Sequence, residues 1–142
     1  MSFDSHRTVT ITRTSAGRYT AANGRGGVLD FGTGEVDDFT PVELFLTAIG
    51  GCTAVDVDIL TTRRAEPESF VVQVDGEKNE GGSGGNRMEE LSVTFRLRFP
   101  EGDGGDAARA LLPDIVRRSH DRLCTVSRTV ELGTPVAARI ES

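Results

Sequence analysis

From Thr40 onward the chain carries the feature that most restricts its fold: a helix that opens on strong start signals and is apolar nearly all the way round. Thr40-Pro41-Val42-Glu43 supplies a capping hydroxyl, a proline at the first helical position and an acid three residues after the cap. That is the pattern of a capping box. Leu44, Phe45, Leu46, Ala48, Ile49, Cys52, Ala54 and Val55 follow, then Val57, Ile59 and Leu60. Up to Val55 the apolar residues fall on every side, and such a helix is expected in an interior. Arg63 and Arg64 suit its C-terminal end, where cations meet the negative pole of the helix dipole. Pro67 marks the stop. Gly50-Gly51 stands in mid-helix, where each glycine costs about 1 kcal/mol relative to alanine. That cost predicts close backbone approach at this turn, by another helix or by a ligand.

Around this helix the chain alternates strand and turn signals. Val9 and Ile11 alternate with Thr8, Thr10 and Thr12, the period of a half-buried strand. Gly17 offers a turn, residues 18–22 a returning strand, Asn23-Gly24 a hairpin signal, and residues 28–31 a third strand. Residues 70–77 and 91–99 read as two more strands. In the second, Leu91, Val93, Phe95, Leu97 and Phe99 face one way, and Ser92, Thr94, Arg96 and Arg98 the other. The glycine-rich stretch 79–86 between them reads as a loop. Residues 106–123 read as a second helix with an apolar stripe, which Pro113 is expected to kink or restart. Cys124 falls just past its end, and a last strand or hairpin is expected over 129–140. The order is that of an α+β fold with antiparallel sheet. The 142 residues fit one domain, 1–142, large enough to bury a core without disulfide staples.

The net charge of −6, with the basic residues scattered, argues against a non-specific nucleic-acid binder, which needs a basic face. The polar start of the chain has no signal-peptide pattern, and no stretch of the roughly 18 apolar residues of a membrane span is expected. These readings predict a soluble, cytoplasmic protein with no membrane partner. Its two cysteines are then expected to be reduced at rest.

Those cysteines are the candidate chemistry. Cys52 follows Gly50-Gly51 directly, so space is left beside its sulfur. A buried cysteine can also serve simply as a small apolar side chain. Cys124 sits between helix and loop. Two cysteines that both border gaps fit a peroxidatic and resolving pair. One thiolate attacks a peroxide and becomes a sulfenic acid; the second thiol condenses with it to a disulfide. A thiolate needs a nearby cation or donor, and Arg18, Arg25 and His120 are the candidates. Glu43 serves the helix cap, a site role, or both. His120 lies four residues before Cys124, a spacing that also suits a Cys-His dyad. Metal sites usually draw on three or four protein ligands, and this spacing supplies two. No metal or organic cofactor is expected. Asp56 and Asp58 read as solvated acids.

The segment from Pro41 to Val57, with Gly-Gly-Cys52-Thr-Ala-Val-Asp at its centre, resembles the central-helix motif of OsmC/Ohr proteins. Ser119-His-Asp-Arg-Leu-Cys124-Thr-Val-Ser127 resembles their second-cysteine motif. With the flanking strand pattern, the resemblance covers nearly the whole chain. It implies an α+β, OsmC-like single domain, with antiparallel sheets wrapped around a buried central helix in an intertwined homodimer. It implies a thiol peroxidase acting on organic hydroperoxides at the subunit interface. In that reading Cys52 attacks, Cys124 resolves, and Arg18 (of Gly17-Arg18) and Glu43 assist. A thiol reductant such as a lipoylated protein would recycle the pair. Peroxidase members carry an acid directly after the proline, whereas here Val42 intervenes and Glu43 comes one position later. One position turns a helical side chain by about 100°. The Gly-Gly-Cys pattern is similar to the YhfA-like branch, and Cys-Thr-Val-Ser replaces the Cys-Pro-Tyr-Ser of the Ohr branch.

Two other readings stand beside the peroxidase. One is a protein that binds a small apolar ligand in the same interface pocket and uses its cysteines for packing. The other is a Cys-His hydrolase or transferase using Cys52 and His120. The peroxidase needs both thiols within mutual reach, the binding protein needs neither, and the hydrolase needs His120 beside Cys52.

Overall fold

The computed structural model describes residues 5–141. They form two compact units, divided between Phe45 and Leu46.

In the first unit, β1 (Thr10–Ser15), β2 (Arg18–Ala22) and β3 (Val28–Gly32) make an antiparallel meander in that order. Gly17 turns the chain between β1 and β2 at φ 72°, a conformation that favours glycine. The next connection is longer than a two-residue Asn-Gly hairpin. The Asn23 side-chain oxygen accepts from the N–H groups of Arg25 and Gly27, both at 2.9 Å, and the Asn23 N–H donates to the Gly27 carbonyl at 3.0 Å. The asparagine thus works through its side chain, as a local mimic of a backbone turn. Tyr19 stacks on Phe31 with ring centroids 5.4 Å apart. The expected half-burial of the first strand is not found: β1 is exposed throughout, with Val9 at 64% and Ile11 at 58%.

The long helix, α1 (Pro41–Thr62), opens on the capping box read from the sequence. The Thr40 N–H donates to Glu43 Oε1 at 2.9 Å, and the Glu43 N–H donates to Thr40 Oγ1 at 3.2 Å. The helix buries one face rather than its whole girth. Ile49, Gly50, Thr53, Val57 and Thr61 are buried, at close to the four-residue spacing of a single stripe. The hydroxyls of Thr53 and Thr61 donate to the carbonyls four residues back, so the buried stripe carries no unsatisfied polar group. Gly51, Val55 and Ile59 form an opposite stripe that is exposed. By length and mean hydropathy (1.5) α1 could span a membrane, which the sequence reading did not anticipate. Its buried stripe is instead packed within the second unit.

There, β4 (Ser69–Asn79) and β5 (Arg87–Arg98) pair as an antiparallel ribbon. The alternation read from residues 91–98 holds residue by residue, with Leu91, Val93, Phe95 and Leu97 facing inward. α2 (Asp103–Arg118) runs through Pro113 without restarting. A π-helical turn, Ser119–Leu123, follows it. The expected strand over 129–140 is absent. Thr125–Leu132 is a helix, α3, closed by Gly133 in the left-handed conformation, and residues 134–141 have no regular structure. The first residues of the expected strand, Thr129–Leu132, fall instead in a helix capped by Cys124 and Gly133.

The two mid-helix glycines separate. A Cβ on Gly50 would run into Val74 Cγ2 on β4, with Val72 Cγ1 at 3.5 Å, whereas one on Gly51 meets nothing within 4 Å. Close approach is therefore real at Gly50, and its cause is the ribbon. Gly50→Ala is expected to lower stability by about 1–3 kcal/mol through overpacking. Gly51→Ala, whose added methyl meets no atom of its own chain, is expected to cost less than Gly50→Ala. Chemical denaturation of both variants checks this, and a Gly50→Ala variant as stable as wild type contradicts it.

Candidate active site

Two local features of the second unit set the sulfur positions. Cys52 lies mid-way along α1, next to the buried Thr53, and is itself half-buried. Cys124 is the cap of α3, with extended backbone (φ −75°, ψ 103°), and is 0% exposed. The Cys124 N–H donates to the Ser119 carbonyl at 2.7 Å, which closes the π-helical turn. Such turns often mark functional positions.

Ser119 also ties this turn to α1. Its hydroxyl, fully buried, donates to Asp56 Oδ2 at 2.7 Å. Asp56 is four residues, one turn, beyond Cys52, so this bond fixes the rotation of α1 against the turn that carries Cys124. The sequence reading took Asp56 for a solvated acid, because nothing in the sequence pairs it with a serine 63 positions away.

Cys52 and Cys124 lie near enough for each to shift the other's titration. The first turn of α3 is wrapped round them. The Val126 and Thr125 N–H groups point at Cys52, and the Ser127 N–H donates to Cys124 Sγ at 3.4 Å. Cys124 Sγ also lies 3.3 Å from the Ser127 hydroxyl, and the Thr53 hydroxyl is a further partner. Burial pushes the Cys52 thiol up; the α3 amides oppose this, but Cys124 adds to it and the net shift is upward. Burial also pushes Cys124 up, but the hydroxyls of Ser127 and Thr53, the Ser127 amide and Cys52 outweigh it, and the net shift is downward.

Arg18 makes an ion pair with Asp38 at 3.2 Å on the first unit's surface. Glu43 is engaged in the capping box. Arg25 donates its backbone N–H to Asn23. His120 is turned toward carboxylates: Nδ1 lies 2.9 Å from Asp121 Oδ1 and Nε2 lies 2.6 Å from Glu131 Oε1. Both ring nitrogens are occupied, which leaves neither free as a base for Cys52. Among the described residues no group of three or more His, Cys, Asp or Glu is placed to hold a metal ion.

A cavity of about 260 Å³, which neither cysteine lines, is walled by Leu91, Val93 and Phe95 of β5, Val116 of α2 and Val130 of α3. Thr53 and Ser127, the hydroxyl partners of Cys124, also line it. Sequence reasoning missed both. The signal for Ser127 was present: it stands three residues after Cys124, the spacing of a cap and its first-turn partner.

A half-buried thiol facing a capping thiol beneath the amides of a short helix, on an antiparallel α+β frame, defines a dithiol protein. The chain belongs to the OsmC-like protein family, whose pattern matches residues 32–139. It is 30% identical over 128 residues to an uncharacterized protein of Mycobacterium tuberculosis, covering 89% of this chain and 90% of that one. Its fold is that of an OsmC-like protein of unknown function from Vibrio cholerae (TM-score 0.72, 15% identity, 90% of this chain and 95% of that one). The organic hydroperoxide resistance protein OhrB of Bacillus subtilis shares the fold at a TM-score of 0.54 and 16% identity, over 89% of this chain and 92% of that one.

Two outcomes test this geometry. Asp56→Ala leaves the buried Ser119 hydroxyl without its acceptor, which is expected to cost about 1–3 kcal/mol; an unchanged denaturation midpoint contradicts the tie between α1 and the π-helical turn. His120 has its titration raised above 6.5, chiefly by its hydrogen bond to Asp121 and further by Glu131, against a smaller opposing effect of burial. Its contribution to stability is therefore fully present below about pH 6.5 and is lost as pH rises through the raised folded value. The loss of thermal stability in His120→Gln should be larger at pH 5.5 than at pH 8.5, as scanning calorimetry will read; equal losses contradict the charged His120–carboxylate contact.

Proposed function

We propose that the chain is a single OsmC-like domain acting as a thiol peroxidase on organic hydroperoxides, through Cys52 and Cys124. The observation that carries this reading is the juxtaposition of the two sulfurs under the first-turn amides of α3. Cys52 is the attacking residue because it is the half-buried member, while Cys124 has no exposed surface. The Cys52 thiolate attacks a peroxide oxygen. The S–O bond forms, the O–O bond breaks, and an alcohol leaves. Cys124 then displaces hydroxide, which leaves as water, and closes the disulfide. A dithiol reductant, such as a lipoylated protein, returns the pair to thiols. The apolar cavity favours an organic substrate over hydrogen peroxide. Arg18 and Glu43 keep the assisting roles that the resemblance implies. The OhrB likeness agrees with the reading at the level of fold. The exposed stripe of Gly51, Val55 and Ile59 supports a homodimer that covers it, and two unbridged cysteines suit a reducing cytoplasm.

The same cavity favours a second reading, a carrier of a small apolar ligand. Hydroperoxide turnover separates the two. Cys52→Ser is expected to abolish consumption of an aryl hydroperoxide, since a hydroxyl is a far poorer nucleophile than a thiolate. Cys124→Ser is expected to react once and stop at a sulfenic acid that a trapping reagent labels. Equal peroxide consumption by wild type and Cys52→Ser would sink the peroxidase and leave the carrier.

A further inference from the structure

We propose that Ser127 is a positioning residue for the second half of the reaction: it holds the Cys124 sulfur in its charged form, aimed at Cys52, and so governs how fast the disulfide closes. This rests on the reading of the two cysteines as a redox pair. Three observations carry it. Ser127 makes two contacts to one sulfur, by its N–H at 3.4 Å and its hydroxyl at 3.3 Å. Both residues are buried, Cys124 completely. Cys124 is also the cap of α3, so the sulfur accepts where a capping oxygen normally would, at the positive end of the helix.

The hydroxyl suits both protonation states. Toward a thiol it accepts the S–H; toward a thiolate it turns and donates its own proton. The charge on Cys124 is thereby met without a neighbouring cation, consistent with the downward shift of that thiol. In the closing step the Cys124 thiolate attacks the Cys52 sulfur of the sulfenic acid. The S–S bond forms, the S–O bond breaks, and hydroxide leaves and takes up a proton as water. The hydroperoxide has by then been reduced to an alcohol, and the two sulfurs are together oxidised by two electrons.

The size of the effect follows from two opposed terms. Losing the hydroxyl should raise the Cys124 titration by about one pH unit, which cuts the thiolate fraction about tenfold below that titration. The more basic thiolate is intrinsically more nucleophilic by about threefold per unit, so closure should slow about threefold net.

Two measurements on the full chain test this. In a Cys52→Ser background, where Cys124 is the remaining thiol, thiolate absorbance is followed against pH with and without Ser127→Ala. The midpoint should rise, and Ser127→Thr, which keeps the hydroxyl, should restore it. An unmoved midpoint, or equal shifts in Ala and Thr, overturns the proposal. With both cysteines present, one equivalent of an aryl hydroperoxide should still oxidise Cys52 in Ser127→Ala, while disulfide closure slows relative to that step and trappable sulfenic acid accumulates. Closure at the wild-type rate overturns it as well. Should wild type fail to react with hydroperoxide, the peroxidase reading falls, and the peroxide-free titration still decides whether Ser127 holds the Cys124 charge.

Discussion

The hydrogen bond from the buried Ser119 hydroxyl to Asp56 is the constraint on which the dithiol site depends. Ser119 works in two directions at once. Its side chain grips α1 one turn from Cys52, and its carbonyl receives the N–H of Cys124. One residue therefore positions both sulfurs, although they are contributed by elements far apart in the chain. The Ser119 hydroxyl is fully buried, so loss of the half-buried Asp56 carboxylate leaves it unsatisfied. The packing of α1 on the ribbon supplies the remaining degree of freedom. Gly50 lets Val74 come close enough to seat the helix, and the stripe of Ile49, Thr53 and Val57 follows from that seat.

On this frame the site does without an obvious cation in the second unit. Amides and hydroxyls do the electrostatic work that a cation would otherwise do. Thr125 and Val126 serve Cys52; Ser127 and Thr53 serve Cys124. The arrangement is asymmetric. The half-buried thiol, Cys52, is pushed up, and the buried one, Cys124, better supplied with donors, is pushed down.

Much of this was legible in the sequence because the signals were local. The capping box at Thr40 and Glu43, the alternation along Leu91–Val93–Phe95–Leu97 and the turn at Gly17 depend on neighbours within a few residues, and the structure has all three. So does the α+β class with antiparallel sheets. The errors share a different cause. Burial of α1 on every side and of β1 on one was inferred from apolar content, but content cannot say which face the chain itself covers. The expected strand over 129–140 failed at its start because Cys124, read as chemistry, also caps a helix that runs to Leu132. The pairing of Asp56 with Ser119 spans 63 positions, and no single-chain pattern encodes it. Cys52 and Cys124 were both legible as chemistry, whereas the donors around them were not, since backbone N–H groups carry no letter in a sequence.

The double role of Cys124, cap and sulfur in one, couples two properties that are usually tuned apart. In the proposed redox cycle, the free energy with which α3 stabilises the thiolate is free energy added to the reduced pair and withheld from the disulfide. A better-capped helix therefore means a higher reduction potential, a pair that gives up its disulfide to reductant more readily, as in other dithiol proteins whose reduced form is favoured. Any change that loosens the end of α3 lowers that potential and lengthens the life of the oxidised state. Local stability of the eight-residue α3 then becomes a dial for the redox poise of the proposed pair.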